Sequence, residues 1–128
     1  HIEVASVKYN ELSNTKEEEK SSSIRSRVSR ARKIQLERYK GLNIYSNSQL
    51  QPAMIDRFCR IDEKGSRLLK DAFEKLGLSA RAHHRILKVS RTIADMDGSE
   101  DIKPYHIAEA IQYRSLDRRF ANNFKKYW

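Results

Sequence analysis

Between Asp62 and Ser79 the chain carries a helix start, a helix stop and a second helix start, and this frame constrains the fold more than any other feature. Asp62 is an N-cap residue, since its carboxylate can accept from the free N–H groups of a first helical turn. Leu68, Leu69, Ala72, Phe73 and Leu76 follow at helical spacing. Gly77 ends the run, because glycine takes the left-handed conformation of a helix end without steric cost. Gly77 and Leu78 form a tight link, and Ser79 caps a helix from Ala80 to about Met96. Ala82, Ile86, Val89, Ile93 and Met96 recur along it at helical spacing, with Leu87 and Ala94 beside them.

The flanks extend this pattern into an all-α fold. Asp97-Gly98-Ser99 reads as a turn, and Pro104 opens a helix to about Leu116 with Ile107, Ala108, Ile111 and Leu116 inward. Pro52 suits the first turn of a short helix ending near Cys59. Asn43 to Ser48 is a polar connector. Ser23 is expected to cap a helix from Ile24 to Tyr39, closed by Gly41 and Leu42. Its apolar stripe of Ile24, Val28 and Ala31, with Ile34 and Leu36 added unevenly, is narrow and predicts a helix that docks loosely or depends on a core outside this chain. The expected result is a small helical bundle with a core of Leu68, Leu69, Phe73, Leu76, Ile86, Val89, Ile93, Ile107 and Ile111. At ~25 cal/mol per Å² of buried apolar area, such a core supports a small domain with a thin margin.

The expected organisation is a disordered segment over 1–22, a basic helix and connector over 23–47, the helical bundle over 48–116, and a basic, aromatic tail over 117–128 that frays. His1 to Tyr9 alternates like a weak strand that cannot pair by itself, and the polar, serine-rich run to Ser23 reads as a linker. The chain lacks a Met at its start and opens inside that strand-like phrase, which suggests an excised fragment.

With 128 residues, one domain with a modest core is expected. No apolar run reaches about 18 residues, so no membrane span is expected. The single cysteine, Cys59, excludes an internal disulfide and a multi-cysteine zinc site, and fits a reducing, cytoplasmic setting. The formal net charge is +9, unevenly spread. Residues 1–20 carry three Lys and five acidic residues, whereas residues 21–47 carry seven basic residues and one Glu. That asymmetry points to a polyanionic partner.

Arg81 is the leading site candidate. It falls in the first turn after the Ser79 cap, at the positive end of the helix dipole, where a cation is unfavourable by roughly 0.3–1 kcal/mol. A guanidinium and free N–H groups in one place suit a phosphate; the alternative is a solvated surface arginine.

The residues around Arg81 also carry a family resemblance. The run Leu78 to Asp97, LSARAHHRILKVSRTIADMD, resembles the AAA+ ATPases of the magnesium-chelatase-related family, and within it the ComM/YifB-like branch. The resemblance continues through Ile102 to Arg114, IKPYHIAEAIQYR, and covers Asn43 to Asp62 and the opening His1-Ile2-Glu3-Val4. It implies the C-terminal helical lid of the ATPase, an AAA+ lid subdomain, preceded by the last strand of the core. It implies that Arg81 is the sensor-2 arginine, which reaches the γ-phosphate of bound ATP and couples hydrolysis to lid movement. Arg85, one turn on, is a possible assistant, although a solvated or salt-bridged role is the simpler reading. The implied cofactor is ATP with Mg²⁺, held mainly by a core domain outside this chain. The implied partners are that core and neighbouring subunits of a ring, commonly a hexamer. The chain has no G-x-x-x-x-G-K-[ST] loop and no apolar strand ending in acidic residues, so it is not expected to hydrolyse ATP alone.

An alternative is an autonomous basic helical module that contacts DNA. Arg25, Arg27, Arg30, Arg32, Lys33 and Arg38 would touch the phosphate backbone without reading sequence. The link of the ComM-like branch to DNA recombination and transformation favours that reading; the alternative is a solvated face or contact with an acidic part of the core. Tyr39 and Tyr45 either stack on bases or anchor helix ends. A third option, a protein adaptor, requires an apolar surface patch that the sequence does not visibly supply. No metal site is expected from His83, His84 and His106, since adjacent histidines point to different helix faces, only one Cys exists, and zinc wants three or four convergent ligands; a surface and partial core role is the simpler reading. The acidic pairs read as caps and turns rather than catalytic carboxylates. Cys59 reads as a buried structural thiol.

Overall fold

The computed structural model describes residues 21–115; the expectations for the strand-like start, most of the linker and the 117–128 tail lie outside them. The chain is helical over 21–38 (α1), makes a 3-10 turn at Asn47–Gln49, and continues as α2 (Pro52–Phe58), α3 (Glu63–Leu76), α4 (Ala80–Met96) and α5 (Pro104–Ser115). The only β pairing among the described residues is an isolated parallel bridge between Ile61 and Ile102. The all-α bundle expected from periodicity is therefore the fold.

The sequence frame is realised by its expected caps. The Asp62 carboxylate accepts from Gly65 N–H at 2.7 Å, and the Ser79 hydroxyl accepts from Ala82 N–H at 3.2 Å. Gly77 adopts φ 60°, and the amides of Gly77 and Leu78 both close on the Phe73 carbonyl. This is the left-handed stop that glycine favours. Gly65 lets α3 and α5 approach closely: an added Cβ would lie 2.7 Å from Ile107 Cδ1, and the tip of that side chain would have to shift.

At the start of α5 the Lys103 amide donates to His106 Nδ1 at 2.9 Å, and Nε2 of the same ring lies 3.0 Å from an Asp97 carboxylate oxygen. His106 thus does for α5 what a Glu does in a capping box, reaching back from the first turn to the residue before it. Accepting at Nδ1 places the ring proton on Nε2, facing Asp97.

α4 is the central element, packed on α5, α2 and the 3-10 turn. The core is built from Leu69, Ile86, Leu87, Ile93, Ala94, Ile107 and Ala110, extended by Tyr39, Leu50, Ile55, Cys59 and Ile102. Leu68, Val89 and Ile111 are partly buried against it. Two expected core residues are corrected: Phe73 and Leu76 are 37% and 51% exposed. Their spacing is that of the α3 stripe, but the described elements cover the last turn of α3 only in part, with the His83 ring against Phe73. The expectation for Ser23 is also corrected, since residues 21–23 are already helical and Ser23 cannot be the cap. Nor does α1 dock loosely. Val28, Ala31, Gln35 and Tyr39 are all buried, so a polar residue and an aromatic ring complete the face that aliphatics alone leave narrow.

Candidate functional site

Arg81 is exposed in the first turn of α4. Its neighbour Ala82 is 4% exposed, which keys the helix to the core and turns Arg81 to solvent. No acidic residue lies in that turn to neutralise the guanidinium or the dipole. Beside it the α3–α4 corner is apolar and aromatic: the Phe73 ring meets His83 edge-on at 6.3 Å, and His83 meets His84 at 5.9 Å. Burial, and then the proximity of His84, hold the His83 imidazole below its ordinary range, so the corner resists taking on charge. The arrangement presents one cation and a set of free helix-start N–H groups, bordered by the exposed Phe73 and Leu76, and suits an oxyanion brought by a surface that covers the corner.

Arg85 and Lys88 follow Arg81 by four and seven residues, on the same side of α4. Arg85 is exposed and lines a groove of about 650 Å³ between α1 and α4. Lys88 lines it too and donates to the Ser48 carbonyl at 3.3 Å. Tyr45, 63% exposed, stands at the groove edge, whereas Tyr39 is 1% exposed and packs edge-on to Phe58 at 5.0 Å. Tyr39 is therefore the helix-end anchor and Tyr45 is not.

The basic residues of α1 do not form one surface. Arg25, Arg30, Arg32 and Lys33 are exposed. Arg27, also exposed, acts electrostatically on Asp97 and Tyr113. Arg38 is turned inward, and this corrects its expected place in a DNA-contacting set. Its two terminal nitrogens donate to Asp95 at 2.8 and 2.5 Å. Burial opposes its charge, but the Asp95 carboxylate prevails and holds the guanidinium above its ordinary value.

The Asp95 side chain is fully buried and organises a polar network. Arg91 Nε also donates to it at 3.2 Å, while the Arg91 terminal nitrogens donate to the carbonyls of Ser99 and Glu100 at 3.0 Å each. Asn47 donates to Asp95 at 2.9 Å and to Thr92 Oγ1 at 3.0 Å, and its carbonyl oxygen accepts from Arg38 and from the Tyr39 hydroxyl. The Asn47 amide donates to Gln35 at 2.9 Å. α1, the 3-10 turn and α4 are thereby joined through polar side chains, and no buried side-chain N or O among the described residues lacks a partner. One signal was available: Asp95 lies four residues after Arg91, an ion-pair spacing. Nothing in the sequence marks Asn47 or Arg38 as its partners.

Cys59 is buried, and burial pushes its thiol up to about 11, the value of an unreactive structural thiol at neutral pH. Among the described residues no group of three His, Cys, Asp or Glu is arranged to hold a metal, and no helix is long and apolar enough to cross a membrane. Leu36, placed unevenly on the α1 stripe by its spacing, and Tyr45, expected to stack on bases or anchor a helix end, instead leave apolar surface exposed in the groove, which sequence reasoning did not foresee.

Residues 18–114, well over half of the chain, match the family model described as magnesium chelatase, subunit ChlI C-terminal. The chain is 45% identical over 118 residues to competence protein ComM of Haemophilus influenzae, covering 91% of this chain and 22% of that protein. It is 40% identical over 100 residues to the uncharacterized protein YifB of Escherichia coli and 39% identical to YifB of Salmonella typhimurium, in each case covering 78% of this chain and 19% of the relative. The chain thus spans about a fifth of the length of the curated relatives it matches.

Proposed function

Because the chain belongs to the magnesium chelatase subunit ChlI C-terminal family, in the company of ComM and YifB, we propose that it is the lid of an AAA+ ATPase and that Arg81 is its nucleotide sensor. The observation that carries this reading is the exposed Arg81 at the capped, acid-free start of a helix whose other end is buried. ATP with Mg²⁺ would supply the transferable γ-phosphoryl group when bound to a core domain; this sequence contains no G-x-x-x-x-G-K-[ST] loop, and no metal-binding group lies among the described residues. Its contribution is electrostatic and positional. Arg81 approaches the γ-phosphate oxygens, the helix-start N–H groups reinforce it, and the exposed Phe73 and Leu76 give the core an apolar surface to close on. Since Ala82 locks the helix to the bundle, a pull on Arg81 moves α4 as a body. Ring neighbours, commonly in a hexamer, would feel that motion.

The test is Arg81→Ala in the ATPase chain that carries this domain. Loss of one charge-assisted phosphate contact is expected to lower ATP turnover by about 10²–10³-fold. Because Arg81 is exposed and its side chain has no ion pair among the described residues, the stability of the 128-residue chain should change by no more than about 0.5 kcal/mol. Unchanged turnover and nucleotide affinity would remove the sensor role.

A second reading, DNA contact through α1, is favoured by Arg25, Arg30, Arg32 and Lys33, which are exposed and have no carboxylate within ion-pair distance among the described residues. It predicts salt-sensitive duplex binding that Arg25→Ala and Lys33→Ala weaken about equally for all sequences.

A further inference from the structure

The groove between α1 and α4 is open along one side and does not include Arg81, although Arg85, the possible assistant to Arg81, lines one of its walls. Its floor is aliphatic, with Val28, Ala31, Val89 and Met96. Leu36 and Tyr45 rise from its edges at 52% and 63% exposure, two of the five large apolar side chains that the described surface leaves exposed. Among the described residues its charged lining is all cationic: Arg32 on one wall, Arg85 and Lys88 on the other. No carboxylate lines it, and neither Arg32 nor Arg85 has an acidic partner among the described residues. The apolar patch that a protein adaptor needs, which the sequence did not visibly supply, is therefore present.

An apolar trough between two helices with one sign of charge on both rims selects an occupant with an apolar stripe and acidic flanks. The trough follows α1 from Val28 to Leu36, about 12 Å at ~1.5 Å per residue, which accommodates roughly two turns of a third helix. We propose that this groove docks an acidic amphipathic helix of a partner protein. A nucleic acid fits less well, because stacking requires flat aromatic faces and Tyr45 is the only one lining the groove among the described residues. A second copy of the bundle fits less well too. α3, its most acidic exposed helix, carries Lys64, Arg67, Lys70 and Lys75 among its acids and would bring cations against cations.

The probe is a fluorescein-labelled synthetic peptide of about 18 residues, long enough to be helical, with Leu at i and i+4 and Glu on both flanks. It is titrated into the full 128-residue chain beside a twin with Lys in place of every Glu. The Glu peptide should bind and its Lys twin should not. Leu36→Glu and Arg85→Glu should each weaken binding by about tenfold or more, and Leu36 is exposed enough for its variant to fold. Arg81→Ala should leave peptide binding unchanged, so failure here and failure of the nucleotide reading are told apart. Absence of binding, equal binding of both peptides, or tighter binding of a single-stranded oligonucleotide that Leu36→Glu abolishes would overturn the proposal.

Discussion

The two ends of α4 are made of similar residues and are treated in opposite ways. At its C-terminal end every residue from Ser90 to Asp95 is buried, including an arginine, a threonine and an aspartate. At its N-terminal end Arg81 is exposed, His83 and His84 are half-buried, and one serine hydroxyl ends the helix. Both ends carry arginines. Arg91 is surrounded by acceptors from Asp95, Ser99 and Glu100, whereas Arg81 sits where the helix dipole and the absence of acids leave its charge uncompensated. An arginine given partners becomes part of the scaffold, and an arginine denied them is available to a ligand. The sequence alone does not separate the two, because the difference lies in what the rest of the chain brings alongside.

Asp95→Ala tests this contrast most severely. It leaves Arg38 and Arg91 without their shared carboxylate and removes an acceptor from Asn47, and it should cost about 3–5 kcal/mol in urea unfolding. A cost below about 1 kcal/mol would mean that water replaces the carboxylate and that the C-terminal end is not the anchor. Ser79→Ala probes the other end: it should cost about 1 kcal/mol, with faster amide exchange confined to the first turn of α4. A global loss of protection would show that the exposed end also holds the bundle together.

The smallest effect sharpens the comparison beyond Asp95. Hydrogen bonding to His106, and then to Tyr105, holds the Asp97 carboxyl below its ordinary value. The unfolded chain therefore binds the proton more readily than the folded one, so Asp97 stabilises the fold above the usual carboxylate value of about 3.9 and ceases to do so as pH falls through its lower folded value. Asp97 is half exposed, so solvent screening keeps the contribution small. Unfolding curves of the wild type and Asp97→Asn should differ at neutral pH and converge on acidification. A gap that widened towards low pH would contradict this sign.

What the sequence made legible was local. Caps at Asp62 and Ser79, the stop at Gly77 and the bounds of α3 and α4 follow from groups that satisfy one another within a few residues. Core positions such as Leu69, Ile86, Ile93 and Ile107 follow from periodicity. Phe73 and Leu76 show the limit of that method: a stripe predicts which way a side chain points, not whether a neighbour is there. Arg38, Asn47 and Asp95 show the complementary limit. Polarity predicts exposure unless partners meet, and these three meet across 9 to 57 residues of chain. For the candidate site, Arg81 was legible because its signal is its own cap and turn. The groove was not, because its two walls come from helices whose pairing no local pattern encodes.

The single cysteine completes this picture. Cys59 closes α2 against the Tyr39 and Phe58 side of the core, and its sulfur stays protonated until the solution is strongly alkaline. A thiol-labelling reagent at neutral pH should therefore react with it slowly, in openings that expose the sulfur such as a lifting of α2. The chain carries an intrinsic clock for its own breathing, and the labelling rate, read with and without nucleotide or peptide, would show which ligand slows it.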